Sequence, residues 1–282
     1  MIFGANYWIA KGLMPGYLNP FQLVMIRIAG ATLIFWLLSL TIKSEKIRRK
    51  DMLTIAVAGI FGTTMNQLFF FVGLNLTTPV DVSIIHVSNP IFVLIFAAIL
   101  IKEKVTLKKT AGIILGASGA LILILYGNNA DFGSDTFTGN LFALINMLAY
   151  ALYLVIIKPV MARYHPFTVM KWVFLAGLVT TLPITFTHLP EISFSGFAPQ
   201  SWVSLIYVVI ATTFLAYLLT IYALKHVEAS VASFYIYLQP VIVAIIAFWI
   251  GRQDFTLSKV IAALLIFTGV YLVSRREKKA EM

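Results

Sequence analysis

The chain contains no cysteine, and only 11% of its 282 residues are charged. The first absence excludes a disulfide framework, a thiolate metal site and a cysteine nucleophile, though it says nothing about redox compartment. The second excludes a soluble globular protein. Such a domain carries about 25% charged residues, whereas this chain is 60% hydrophobic with a mean hydropathy of +0.94. Carboxylates are also missing from the middles of the apolar runs, since Asp81, Glu103 and Glu228 all lie at run ends. Of four histidines, His165 and His226 fall in loops and His188 near a run end, which leaves little material for a metal centre. No metal and no cofactor is expected. The connections are short, about a dozen residues at most, so a receptor or scaffold with a soluble output domain is not supported.

What remains is a series of apolar runs near 1–14, 21–42, 52–74, 80–101, 107–126, 139–158, 167–188, 200–222, 229–250 and 257–274. A helix needs about 20 apolar residues to cross the hydrocarbon core. Continuous runs of that length read as helices, not as the short alternating strands of a barrel. The chain is therefore expected to be an all-α membrane protein of ten transmembrane helices, with the lipid bilayer as its surroundings. The net charge of +10 follows this topology. With a cytoplasmic N-terminus, sixteen Lys and Arg fall in inner loops and the C-terminal tail, against Lys11, Arg252 and Lys259 outside. That bias sets orientation: both termini are expected in the cytoplasm, in the cell (inner or plasma) membrane, and the basic excess is no nucleic-acid patch.

Shifted by 150 residues, the chain matches itself. "SIIHVSNPIFVLIFAAILIKEKVTLKK" aligns with "SFYIYLQPVIVAIIAFWIGRQDFTLSK" without a gap, so Asn89 meets Gln239 and Pro90 meets Pro240. Thr63 likewise meets Thr213. The expected units are residues 1–126 and 139–282, each of five helices, joined by a linker at 127–138. An odd helix count makes the second unit enter the membrane from the opposite side, giving two inverted repeats with the substrate site near mid-membrane at their interface. Pro90 and Pro240 are expected to break helices at that depth. "YALYLVIIK" at 150–158 also aligns with "FGANYWIAK" at 3–11. By that alignment the first helix is expected to be truncated at its cytoplasmic end, through a misplaced start site or a shortened gene product.

The same stretches resemble the EamA-type members of the drug/metabolite transporter superfamily. "FGANYWIAKG" is similar to that family's opening pattern, "PFQLVMIRIAGA" to its second helix, and "NPIFVLIFAAILIKEKVTLKKTAGIILGASGALIL" to its central proline, terminal Glu and Gly-rich fifth helix. The second half repeats the last pattern, with Gln253 and Ala262 departing from the family's usual Glu and Gly. The resemblance implies export or exchange of small metabolites, commonly amino acids or amphipathic drugs.

Within the runs, the polar residues nominate a substrate cavity. His86 shares a helix face with Ser83 and Pro90, and an ionisable residue in hydrocarbon normally faces a bundle interior or water. It is equally read as a neutral packing histidine; if transport is coupled to protons, it is the residue to carry them. The other cavity candidates are Asn6, Trp8, Asn66, Gln67, Asn89, Tyr150, Tyr153, Tyr217, Tyr235 and Gln239, with Asn146 and Tyr7 as further polar interruptions. Any of them can serve instead as a helix-to-helix hydrogen bond. Arg27 and Lys171 lie one to two turns inside their runs and are read as structural, snorkelling cations; if they line the cavity, an anionic substrate follows. Glu103 is read as structural, pairing with basic residues at the cytoplasmic face. Gly112, Gly116 and Gly119 form a stripe for close helix packing, within one subunit or in a dimer, so a monomer or homodimer is expected. The runner-up functions are a sugar-nucleotide or phosphate exchanger, which needs several cavity cations, and an intramembrane enzyme, which needs a Ser–His, Asp–Asp or metal constellation at depth.

Overall fold

The computed structural model describes residues 2–41, 45–101, 106–126, 133–226, 238–250 and 256–274, and among them every regular element is a helix. In chain order these are α1 (Ile2–Leu13), α2 (Pro20–Ser39), α3 (Arg49–Gly59), a π-helical segment (Ile60–Met65), α4 (Asn66–Leu76), α5 (Pro79–His86) and α6 (Asn89–Ile101). They are followed by α7 (Leu107–Tyr126), α8 (Asp135–Met161), α9 (Pro166–Thr185), a 3-10 segment (Phe186–Glu191), α10 (Pro199–Ile206), a second π segment (Tyr207–Leu215), α11 (Ala216–His226), α12 (Leu238–Trp249) and α13 (Leu257–Ser274). Six continuous helical runs among the described residues are long and apolar enough to cross a membrane: Pro20–Ser39, Arg49–Leu76, Pro79–Leu100, Asp135–Met161, Pro166–Glu191 and Pro199–Ala223. Thr110–Gly119 and Val260–Gly269 are shorter apolar helices.

The helix starts follow local chemistry. Pro occupies the first position of α2, α5, α9 and α10, where its missing N–H costs nothing and its fixed φ favours the helix. Asn19 and Gln22 form a capping box at α2, with both reciprocal bonds at 2.9 Å. Thr78 and Ser134 cap α5 and α8 through the backbone N–H three residues on, at 3.1 and 3.2 Å. Such side chains satisfy donors that would otherwise be stranded in the apolar phase. At the other pole, Lys11 Nζ donates to the carbonyls of Leu74, Asn75 and Thr77 at 2.8, 2.7 and 3.1 Å. It thus neutralises the carbonyl end of α4, where a cation also suits the helix dipole.

Packing is dictated by glycines and large apolar side chains. A Cβ on Gly119 would sit 2.7 Å from the Ala262 carbonyl oxygen, and one on Gly269 2.5 Å from that of Gly112. The glycine stripe of α7 therefore receives α13 of the same chain at backbone contact. Helix α2 packs on α9 in antiparallel sense, Phe35 meeting Phe174 and Phe167 at 5.1 and 6.1 Å while Phe21 stacks on His188 at 4.6 Å. Helix α8 packs against α4 and α6, and α1 against α12. Leu33, Leu53, Ile114, Phe248 and Leu264 point outward and are mostly exposed, as lipid-facing side chains are in a membrane bundle.

Contacts tie the two ends of the bundle in different ways. Beyond the end of α2, Tyr164 Oη donates to Asp51 Oδ2 at 2.9 Å and Arg163 Nη2 pairs with Asp51 Oδ1 at 3.1 Å. The His165 N–H also donates to Glu45 Oε2 at 2.8 Å. Before the start of α2, Tyr17 packs edge-on to Phe197 at 5.2 Å, and Phe197 joins Phe194 and Trp202 at 5.2 Å each.

Candidate functional site

Pro90 creates the first part of the site. It has no N–H for the His86 carbonyl four residues back, and its ring crowds that carbonyl. The run opens at Val87–Ser88, where the Ser88 N–H bonds Ile85 O at 3.0 Å and its hydroxyl bonds the same oxygen at 2.6 Å. Helix α6 restarts with the Ser88 carbonyl accepting from Ile91 N–H at 3.0 Å. His86 thus ends one helix and Asn89 begins the next, both buried.

His86 Nδ1 lies 2.6 Å from Tyr7 Oη, and Tyr7 Oη donates to Gln239 Oε1 at 2.7 Å. A phenol has one proton. With that proton given to Gln239, His86 Nδ1 is the donor to Tyr7, and Nε2 carries a lone pair. Nε2 is buried with no hydrogen-bond partner among the described residues. Tyr7 and Phe70 wall the imidazole at 5.6 and 5.5 Å, and stand edge-to-face with each other at 5.5 Å.

The π segment carries the network onward. Its wider turn leaves carbonyls for side chains, and such segments recur at functional sites. Tyr217 Oη reaches the Gly62 carbonyl at 3.1 Å and Asn66 Oδ1 at 2.8 Å, while Asn146 Nδ2 donates to the Asn66 carbonyl at 2.5 Å. Asn146 neighbours His86, and Tyr217 neighbours Gln67. Asn89 Nδ2 makes a long 3.4 Å contact to Met147 O. Both amide atoms of Gln67 and the side-chain oxygens of Asn6, Asn89 and Asn146 have no partner among the described residues. Each buried polar atom left so costs about 1–3 kcal/mol.

Arg27 is 3% exposed. Its Nε donates to Thr213 Oγ1 at 2.7 Å and Nη2 to Thr212 Oγ1 at 3.3 Å. Its guanidinium carbon stands 4.3 Å from the Phe71 ring centroid. No carboxylate among the described residues pairs with it, although a charge at mid-helix in a membrane costs about 2.5–3.5 kcal/mol. Lys171, by contrast, rests over Trp36 and Trp172 at 5.3 and 6.0 Å near the outside of the bundle.

The structure thus joins His86 and Gln239 through Tyr7, and Asn66 and Tyr217 with Asn146, with Gln67 and Asn89 alongside. It places the other candidates differently. Trp8 Nε1 donates to the Val243 carbonyl at 3.1 Å and so pins α1 to α12. Tyr153 bonds Met170 Sδ at 3.7 Å and lies against Gly62, with Tyr150 beside it at 5.9 Å. Asn6 is buried on α1, and Pro240 is buried next to Gln239. Tyr235 and Glu103 lie outside the described residues. The bridging role of Tyr7 escapes sequence reading because its partners are 79 and 232 residues away. The threonine pairs at 63–64 and 212–213, one in each π segment, were visible as doublets.

A helical bundle with six membrane-length helices and a polar network buried inside it has the build of a multi-pass membrane transporter. The chain belongs to the EamA-like transporter family, whose profile matches residues 1–125 and 137–275. Its relatives in the drug/metabolite transporter superfamily include an uncharacterized transporter of Archaeoglobus fulgidus, 26% identical over 97% of this chain and 93% of its own. The Bacillus subtilis transporter YyaM is 28% identical over 96% and 89%. A probable terminal-alkyne amino-acid exporter of Streptantibioticus cattleyicolor is 26% identical over 81% and 75%. A solved crystal structure of a protein matches at a TM-score of 0.65 and 18% identity over 96% of both chains, a likeness of fold.

Proposed function

We propose that the protein exports or exchanges small metabolites, amino acids or amphipathic compounds, by alternating access between two inverted five-helix halves. The observation that carries this reading is the His86–Tyr7–Gln239 chain of hydrogen bonds. It joins the first half to the second inside the bundle, beside polar atoms with no protein partner among the described residues. A ligand held there contacts both halves at once, which is what rocking about a shared site requires.

Three further relationships support the inverted plan. The π segments fall at repeat-related positions in the two halves, 60–65 and 207–215. The Gly119–Ala262 and Gly269–Gly112 contacts exchange with each other under the 150-residue shift. Tyr17 and Tyr164, 147 residues apart, each hold an end of the bundle to the opposite half. With the lysine and arginine bias, Tyr164 stands at the cytoplasmic end and both termini face the cytoplasm. The amino-acid exporter among the relatives favours that substrate class. A phosphate exchanger demands several buried cations, and Arg27 is the one buried Lys or Arg among the described residues.

Reconstitution in liposomes tests the reading, with amino acids, quaternary amines and sugar phosphates offered with and without a pH gradient. Saturable flux of a metabolite supports it, and a dependence on the gradient adds proton coupling through His86. No flux above empty vesicles for any class would sink it.

A further inference from the structure

We propose that Arg27 is the anchor for a carboxylate of the transported molecule, an inference that rests on the transport reading. The guanidinium is buried, yet its partners among the described residues are neutral: two threonine hydroxyls and the face of Phe71. A buried cation calls for an anion, and none of the described carboxylates supplies it. Of its five N–H donors, one on Nε and one on Nη2 are used, and Nη1 has no partner among the described residues. The unused donors on Nη1 and Nη2 form the flat fork that matches a carboxylate.

The threonines hold that fork in place for a reason built into the backbone. Thr212 and Thr213 both give their hydroxyl protons to the Val208 carbonyl, at 2.7 Å each. Their lone pairs are then left for Arg27. This sharing of one carbonyl sits within the π segment of residues 207–215, where the ordinary four-residue ladder is opened. A stretch of backbone in the second half thereby orients a cation carried by the first. Its threonine partners lie in the π segment that leads directly into α11, the helix that carries Tyr217. A mere helix-to-helix pin would need only neutral partners, and an amide would serve it without the cost of burying a charge.

The remaining unpartnered atoms fit the other pole of such a molecule. His86 Nε2 and the side-chain oxygens of Asn89 and Asn146 are all acceptors. They suit a donor group on the ligand, with Phe70 and Phe71 between them and Arg27, the two rings being 4.7 Å apart.

The test compares matched pairs of probes on the purified, detergent-solubilised protein and in proteoliposomes. The probes are phenylalanine and its methyl ester, benzoate and methyl benzoate, and inorganic phosphate. The wild type is expected to be thermally stabilised by the acids and to take them up at least tenfold better than the esters. Arg27→Gln places an N–H where Nε stood, so it can keep the bond to Thr213, and is expected to fold while losing that discrimination; Arg27→Lys keeps the charge and retains part of it. Thr213→Ala is expected to weaken the acid and leave the ester unchanged. Equal handling of acid and ester by the wild type, or discrimination unaltered in Arg27→Gln and Arg27→Lys, overturns the proposal. Stabilisation by phosphate alone overturns the carboxylate assignment. Flux of a neutral substrate with no preference for acids refutes the anchor while sparing the transport reading.

Discussion

Tyr7 Oη sits 2.6 Å from His86 Nδ1, and the two residues come from helices separated by 79 positions in the chain. Both are buried, so the bond cannot be exchanged for water without opening the bundle. Tyr7→Phe leaves the His86 N–H and the Gln239 oxygen unpaired, which costs about 1–3 kcal/mol. The variant is expected to fold, to unfold at lower temperature, and to transport with about tenfold weaker apparent affinity. A double-mutant cycle with His86→Ala is expected to return a coupling of about 0.5–3 kcal/mol. Additive effects of the two changes would dissolve the link.

Tyr164 and Tyr17 give a second expectation, about access. The chain has no cysteine, so Asn89→Cys introduces a single thiol reporter. Tyr164→Ala is expected to raise its labelling by an impermeant maleimide from the side that carries Arg48 and Arg49. Tyr17→Ala is expected to raise it from the opposite side. Arg163 is 45% exposed and its partner Asp51 is buried; in Arg163→Gln that carboxylate still accepts from Tyr164 Oη, so the change is expected to alter labelling less than Tyr164→Ala. Labelling raised from the same side by both tyrosine variants would contradict the assignment of ends.

The glycine contacts predict which added methyl groups are tolerated. Gly119→Ala drives a Cβ to 2.7 Å from a backbone oxygen that cannot swing aside. A loss of about 1–3 kcal/mol is expected in reversible unfolding. Gly12 lies in α1 with open space around it, so Gly12→Ala is expected to be neutral or stabilising by up to about 1 kcal/mol. Gly62→Ala meets the Tyr153 ring and is expected to disturb the π segment and transport together.

Lys11 offers a fourth. It satisfies three carbonyls at the end of α4, and Lys11→Met strands them. A loss of about 1–3 kcal/mol is expected, with Lys11→Arg recovering much of it. Equal melting temperatures for wild type and Lys11→Met would refute the cap.

The apolar runs were legible in the sequence because length and composition alone decide whether a helix fits lipid. Six of them reappear as helices of membrane length, and among the described residues the connections at 14–19, 162–165 and 192–198 fall beside the Pro and Gly residues there. The opening at Val87–Ser88 follows from Pro90, since a missing N–H acts on its own helix. The π segments were not legible, because Thr63 and Thr213 carry no local signal for a widened turn; tertiary contacts with Gly177 and Arg27 accompany it. Tyr7 was visible as a polar interruption, yet its role depends on partners brought together only by packing. Arg27 read as a snorkelling cation because its depth in the run allowed that, and its threonine partners lie 185 and 186 residues away.

The central claim is that one substrate is held by both halves at once. Its most direct measurement is the concentration dependence of uptake into proteoliposomes for wild type, His86→Ala in the first half and Gln239→Ala in the second. The account expects saturable wild-type uptake, with half-saturation raised about tenfold or more by either change. Wild-type half-saturation in both variants would contradict it.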